Sequence, residues 1–109
     1  MWTGIFGNST AEKTLLYLEC YEEGYSLAIA QTFGLPVSQI QRQILRFEAA
    51  GILVSQKKGR TRIFQWNPRC YFLKELRMTL ARILEFLPRE EQKKYFLQRT
   101  RPRRTGKPA

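Results

Sequence analysis

Ser38, Gln39, Gln41, Arg42 and Arg46 put hydroxyl, carboxamide and guanidinium groups into one short stretch of the chain. At 100° per residue, Ser38, Arg42 and Arg46 fall on one side of a helix, with Gln39 and Gln41 on its shoulders and no carboxylate among them. Such a face suits base-pair edges, because in the major groove of duplex DNA glutamine can pair with adenine and arginine with guanine. The leading residues of a helix in that groove usually make the base contacts. That assigns Ser38, Gln39, Gln41 and Arg42 to base readout and Arg46 to a phosphate. Taken alone, glutamine and arginine on a helix face are ordinary solvated surface. The residues downstream argue for more. Lys57, Lys58, Arg60 and Arg62 crowd around Gly59, and no acid occurs between Glu48 and Glu75. A surface charged only for solubility intersperses both signs. These four cations therefore read as contacts to phosphates or to a minor groove.

Elements that position these groups can be read on both sides. Ser26 is expected to cap a helix running to Phe33, with Gly34 as the left-handed residue that ends it and Pro36 blocking its continuation. The next helix should run from Val37 to about Ala50, turning Val37, Ile40, Ile44 and Phe47 toward a core. Ile52 to Gln56 and Thr61 to Trp66 are β-rich runs joined by a turn at Lys57-Lys58-Gly59-Arg60. Phe64 and Trp66 should face the core, and Tyr25 is placed to add a very short strand to the hairpin. This order is a helix-turn-helix followed by a wing. The expected fold class is mainly α with a small β-hairpin wing (α+β), closed by a C-terminal dimerisation helix.

Upstream, Trp2, Ile5 and Phe6 form an apolar lead-in, and Ser9 with Glu12 has the spacing of a capping box. Leu15, Leu16 and Leu18 would anchor that first helix and Gly24 close it. Glu19, Glu22 and Glu23 near its end have no accompanying base, nucleophile or metal ligand, so they suggest no catalysis. Downstream, Asn67-Pro68 turns the chain into a helix over Tyr71 to Leu87. Its Leu73, Leu76, Leu80, Ile83 and Leu87 are spaced 3, 4, 3, 4 like a coiled-coil seam. Leu73 and Leu76 can pack partly on their own domain; with little chain left to cover the rest, Leu76, Leu80, Ile83 and Leu87 are assigned to a two-fold dimer contact. Met78 and Phe86 lie outside the seam and are expected against the first helix of either subunit. Pro88 opens a last short helix with Glu90 and Glu91 early, Lys93, Lys94 and Arg99 late, and an apolar patch of Tyr95, Phe96 and Leu97. The domain is expected over residues 1–98. The tail over 99–109 carries Arg101, Arg103, Arg104 and Lys107 among prolines and Gly106 and should be disordered in isolation, either contacting phosphates or ending in solvent.

At 109 residues the chain suits one domain, and a net charge of +10 with a pI near 10.1 favours a polyanionic partner: DNA, RNA or an acidic membrane surface. The charge is uneven, since Lys13 is the only cation before Arg42. The chain has neither aspartate nor histidine, and Gly4-x-x-Gly7 lacks the lysine of a phosphate-binding loop, which argues against an enzyme. Cys20 and Cys70 are too few ligands for a structural zinc and read as buried, apolar thiols; no metal or cofactor is expected. The start lacks a basic and apolar leader, and Lys74, Glu75, Arg77, Arg82 and Glu85 interrupt the longest apolar tract, so neither secretion nor membrane insertion is expected. The expected location is the cytoplasm, with the nucleoid.

Residues from about Phe6 to Leu80 resemble the winged helix-turn-helix transcriptional regulators of the ArsR-like type. The resemblance is carried by GLPVSQIQRQILRFEAAGIL (Gly34 to Leu53) and KKGRTRIFQWNP (Lys57 to Pro68). Its most specific parts are the Phe-Glu-Ala-Ala-Gly-Ile-Leu helix exit, the Gly-Arg-x-Arg wing and the Asn-Pro that follows. It implies sequence-specific binding of double-stranded DNA by a homodimer on a near-palindromic site, usually in repression. The chain departs from the pattern at Pro36, where such proteins usually place a serine or threonine cap. It departs again at Leu45, an outward position more often basic. The cysteine cluster through which many such proteins sense metals is missing, and no small-molecule effector is legible. Two other readings compete: a DNA-binding architectural or mobile-element accessory protein without sequence preference, and an RNA-binding winged helix. The second is disfavoured because no aromatic platform for stacking bases is evident.

Overall fold

The computed structural model describes residues 8–96, so the Trp2, Ile5 and Phe6 lead-in, Leu97 and the basic tail lie outside it. Helix α1 (Ser9–Tyr21) starts one residue earlier than the capping-box spacing suggested. Asn8 is its cap, the side-chain oxygen accepting from the Ala11 N–H at 2.7 Å. Asparagine caps as well as serine, and Ser9, already in the helix, accepts from Lys13 Nζ instead. Glu12 is buried. Leu15, Leu16 and Leu18 are buried as expected.

The end of α1 also differs from the expectation. Glu22, with φ 73°, turns the chain and returns its N–H to the Leu18 carbonyl, whereas Gly24 lies in strand β1 (Glu23–Gly24). Glycine is needed there for space. A Cβ on Gly24 would come within 2.7 Å of Tyr17 Cε1, and that ring is held against Tyr21 at 4.6 Å between centroids. Gly24→Ala is therefore expected to destabilise the fold by about 1–3 kcal/mol, the usual cost of overpacking, read as a lowered denaturation midpoint.

Tyr25 does not extend β1. It adopts an extended conformation as the cap residue of α2 (Ser26–Phe33), with no side-chain capping bond, and Ser26 is already inside the helix. Gly34 ends α2 in the left-handed region (φ 66°, ψ 37°), as expected, and Pro36 precedes α3 (Val37–Ala49). Strands β2 (Leu53–Lys58) and β3 (Thr61–Trp66) form an antiparallel hairpin, and β1 adds to β3 through Glu23↔Gln65 and Gly24↔Phe64, giving the order β1-β3-β2. Because β2 continues through Lys58, the connection is only Gly59-Arg60, with Gly59 at φ 64°. Asn67 fixes the exit by donating its amide to the Gly51 carbonyl at 2.8 Å.

Leu15, Leu18, Ile29, Ile40, Ile44 and Leu53 form the centre of the core, and Phe64 and Trp66 close it from the sheet. Helix α4 (Leu73–Phe86) supplies Leu80 and Ile83, and Leu87 follows it. These three are 0%, 3% and 5% exposed, while Leu73 and Leu76 are half-buried. This overturns the assignment of Leu80, Ile83 and Leu87 to a partner surface. The 3-4-3-4 spacing marks a helix that faces its own core. The cover comes from α1, which lies against α4; beyond Pro88, α5 (Arg89–Glu91) runs into a π-helical turn (Gln92–Phe96) whose Phe96 is buried near Phe33, with ring centroids 5.9 Å apart. Tyr21 donates its hydroxyl to the Tyr95 carbonyl at 2.6 Å, and the Gln92 amide reaches the Leu84 carbonyl at the end of α4. Met78 and Phe86 are exposed and so do not pack on α1 of their own chain.

Arg77 joins α4 to α1. Its Nε donates to Glu19 at 2.7 Å and its Nη2 to Glu22 at 2.8 Å. Burial pushes the Glu19 carboxyl above its ordinary value, with Arg77 pulling the other way. For Arg77 burial acts to lower the value, but the hydrogen bonds to Glu19 and Glu22 outweigh it and hold the guanidinium above its ordinary range.

Candidate nucleic-acid interface

The rotation of α3 about its axis is set by what it buries. Ile40 and Ile44 are fully enclosed, Phe47 is nearly so, and Gln43 turns inward beside them. Ser38, Gln39, Gln41, Arg42 and Arg46 are consequently all exposed on the other sides. Among the described residues, no hydrogen bond or ion pair holds the side chains of Ser38, Gln41 or Arg42. Gln39 accepts from the Thr10 hydroxyl at 3.3 Å, and the Arg46 guanidinium rests 5.5 Å from the centre of the Phe47 ring. Val37 departs from the expected core set: it is 40% exposed, at the edge of α3 that meets the wing.

Period-two alternation sorts the hairpin into two faces. Leu53, Ser55 and Lys57 share a face with their partners Trp66, Phe64 and Arg62, so the core face of the hairpin continues outward into cations. Lys57 stands directly opposite Arg62, an arrangement of like charges that opposes pairing. Lys57, Lys58 and Arg60 are exposed, and no salt bridge neutralises them among the described residues. Arg62 is held differently. Its Nη1 donates to Ser55 Oγ at 2.8 Å, and Ser55 Oγ donates to Glu48 Oε2 at 2.7 Å. The acid at the end of α3 is thereby engaged by the wing, and it braces wing and helix together. Sequence reasoning had no means of finding this link, because Glu48, Ser55 and Arg62 lie on three different elements.

Between α2, α3 and the wing runs an open groove of about 420 Å³, with Leu27, Val37, Gln41 and Leu45 on one side and Arg60 and Arg62 on the other. Leu45, outward as expected, is 53% exposed. Of the assigned base-reading and wing residues, the groove brings together Gln41, Arg60 and Arg62, among aliphatic neighbours. Arg101, Arg103 and Arg104 lie outside the described residues. Among those described, no group of three or more histidine, cysteine, aspartate or glutamate side chains is arranged to hold a metal ion, and no helix is long and apolar enough to cross a membrane. Cys20 and Cys70 form no disulfide and are only half-buried, less enclosed than expected, and the Cys20 thiol donates to the Phe96 carbonyl at 3.2 Å.

The architecture is that of solved winged-helix regulators. A MarR-family transcriptional regulator from Rhodococcus sp. RHA1 superposes with a TM-score of 0.53 at 20% identity, over 84% of this chain and 71% of its own. The adhesin competence repressor AdcR from Streptococcus pyogenes gives 0.51 at 11% identity, over 78% and 72%. The MarR-family regulator SPO1453 from Silicibacter pomeroyi DSS-3 gives 0.52 at 16%, over 78% and 66%, so this chain spans slightly less than two thirds of that protein. No family model and no curated protein matches the sequence. At these identities the likeness is one of fold, a winged helix-turn-helix, and two of these structures are of MarR rather than ArsR type.

Proposed function

We propose that this chain is a transcriptional regulator that recognises double-stranded DNA, with no catalytic role. Ser38, Gln39, Gln41 and Arg42 read base edges from α3, and Arg46, Lys57, Lys58 and Arg60 hold phosphates on either side. Arg62, braced through Ser55 to Glu48, presents its charge inside the groove rather than at the wing tip. One observation carries this reading: the exposed polar face of α3, on which Ser38, Gln41 and Arg42 have no partner among the described residues, adjoins a wing whose cations have no acids around them except one already bound to Ser55. The ArsR-like residues of Gly34 to Pro68 and the likeness to MarR-family regulators and to a named repressor both support regulation, and the latter supports repression. Residues 1–98 form the domain in this reading, and Arg101, Arg103 and Arg104 extend its phosphate contacts.

The regulator acts as a homodimer, with two α3 helices in successive major grooves about 34 Å apart on a near-palindromic site. Since Leu80, Ile83 and Leu87 are committed to the core, the contact falls on the outward side of α4 and the turn before it, where Met78, Phe86 and Tyr71 are exposed. Tyr71→Ser combined with Phe86→Ser is expected to leave the fold intact and halve the mass measured by sedimentation. An unchanged mass would place the contact elsewhere.

Selection of bound duplexes from a random pool tests the function. A two-fold symmetric consensus is expected. Uniform recovery without enrichment would instead favour an architectural protein that binds DNA of any sequence.

A further inference from the structure

Leu45 and Val37 are the least expected residues of the basic surface. They lie four residues on either side of Gln41, so the three form one line along α3. Val37 is 40% and Leu45 53% exposed, and all three line the groove faced by Arg60 and Arg62. Exposed aliphatic side chains scattered singly need no explanation. Here they flank the glutamine assigned to a base edge, within a groove whose lining carries two arginines and no acid.

We infer that this groove selects A·T pairs by seating thymine C5-methyl groups against Val37 and Leu45 on either side of Gln41. The inference rests on the DNA reading above and specifies what that site prefers. Glutamine can bond adenine through N6 and N7, and thymine is the base that presents a methyl group in the major groove, where an apolar side chain can cover it. Four residues of helix rise about 6 Å and one base pair about 3.4 Å. The two aliphatic contacts therefore fall one or two base steps from the adenine read by Gln41. Charge complementarity identifies the occupant: Arg60 and Arg62 require an anionic rail beside the apolar contact, and duplex DNA offers phosphates and methyl groups at that separation. The lysine or arginine more usual at position 45 would reach for a phosphate; leucine reads the base instead.

Replacing thymine by uracil removes only the methyl group and leaves pairing intact. In duplexes carrying the selected site, uracil introduced one position at a time is expected to weaken binding about fourfold at one or two positions per half-site, the worth of one buried carbon. Leu45→Ala should bind thymine and uracil duplexes equally at one such position, and Val37→Ala at another. Leu45→Lys should bind every duplex more tightly while losing the thymine preference. Both side chains are exposed, so thermal melts of the variants should match the parent. If uracil is harmless at every position while the selected site is still preferred over random duplex, the inference is overturned and the DNA reading stands. If no duplex is preferred at all, both fall. If Leu45→Ala halves the mass without changing the thymine preference, the groove belongs to a second copy and the inference is likewise overturned.

Discussion

Replacing Lys57, Lys58 and Arg60 together by alanine is expected to weaken binding to any duplex about a hundredfold at 0.15 M salt. Each phosphate contact contributes about 0.9 to the slope of log affinity against log salt. Three contacts therefore flatten that slope by about 2.7, and 0.15 M lies about 0.8 of a decade below 1 M, so the loss is about two decades. The loss should be the same on the selected site and on random duplex, because phosphates carry no sequence. Folding should not suffer: all three side chains are exposed, and removing Lys57 relieves its opposition to Arg62. A salt titration by fluorescence anisotropy on both duplexes is the check. A loss confined to the selected site would show that the wing reads bases.

Leu80→Ala should act on a different quantity. Leu80 is fully buried among residues of its own chain, and truncating such a leucine costs about 3–5 kcal/mol. That is a large share of the 5–15 kcal/mol or so by which a domain is stable, so the variant should be substantially unfolded near physiological temperature. Denaturant melts at two protein concentrations distinguish this from a role at a subunit contact. A core residue lowers the midpoint by the same amount at both concentrations. An interface residue would leave a folded monomer and change only how the midpoint depends on concentration.

The same leucine shows where the sequence could and could not be read. Spacing reveals which side of a helix is apolar and says nothing of what covers that side. The 3-4-3-4 run through Leu87 fits a coiled coil and a core-facing helix equally well, and the choice depended on α1 lying against α4, where Arg77 meets Glu19. Local chemistry was legible where one residue type has one use. Gly34 before Pro36 marks the turn between α2 and α3, Gly59 marks the wing tip, and alternation places Phe64 and Trp66 inward. It failed by a residue or two where several residues serve equally, as with Asn8 in place of Ser9, or where a strained residue is held from afar, as with Glu22 beside Arg77. Gly24 was misread because its lack of a side chain serves the Tyr17 ring rather than a turn. The polar face of α3 was legible in full, since Ile40, Ile44 and Phe47 fix its rotation. The Glu48–Ser55–Arg62 brace was not, because hydrogen bonds between elements leave no period in the sequence.

In the proposed function, the side of α3 opposite its buried residues, with Arg42 on it, is where discrimination between DNA sequences arises. Affinity of Arg42→Ala for the selected duplex and for a random duplex, measured at one salt concentration, tests this most directly. Losing a bidentate contact to a guanine edge should weaken the selected site by about 1–3 kcal/mol, roughly 5- to 150-fold, and relax the preference at one position. Random duplex should lose far less. Equal losses on both would mean that Arg42 contacts only the phosphate rail, and would contradict base readout by α3.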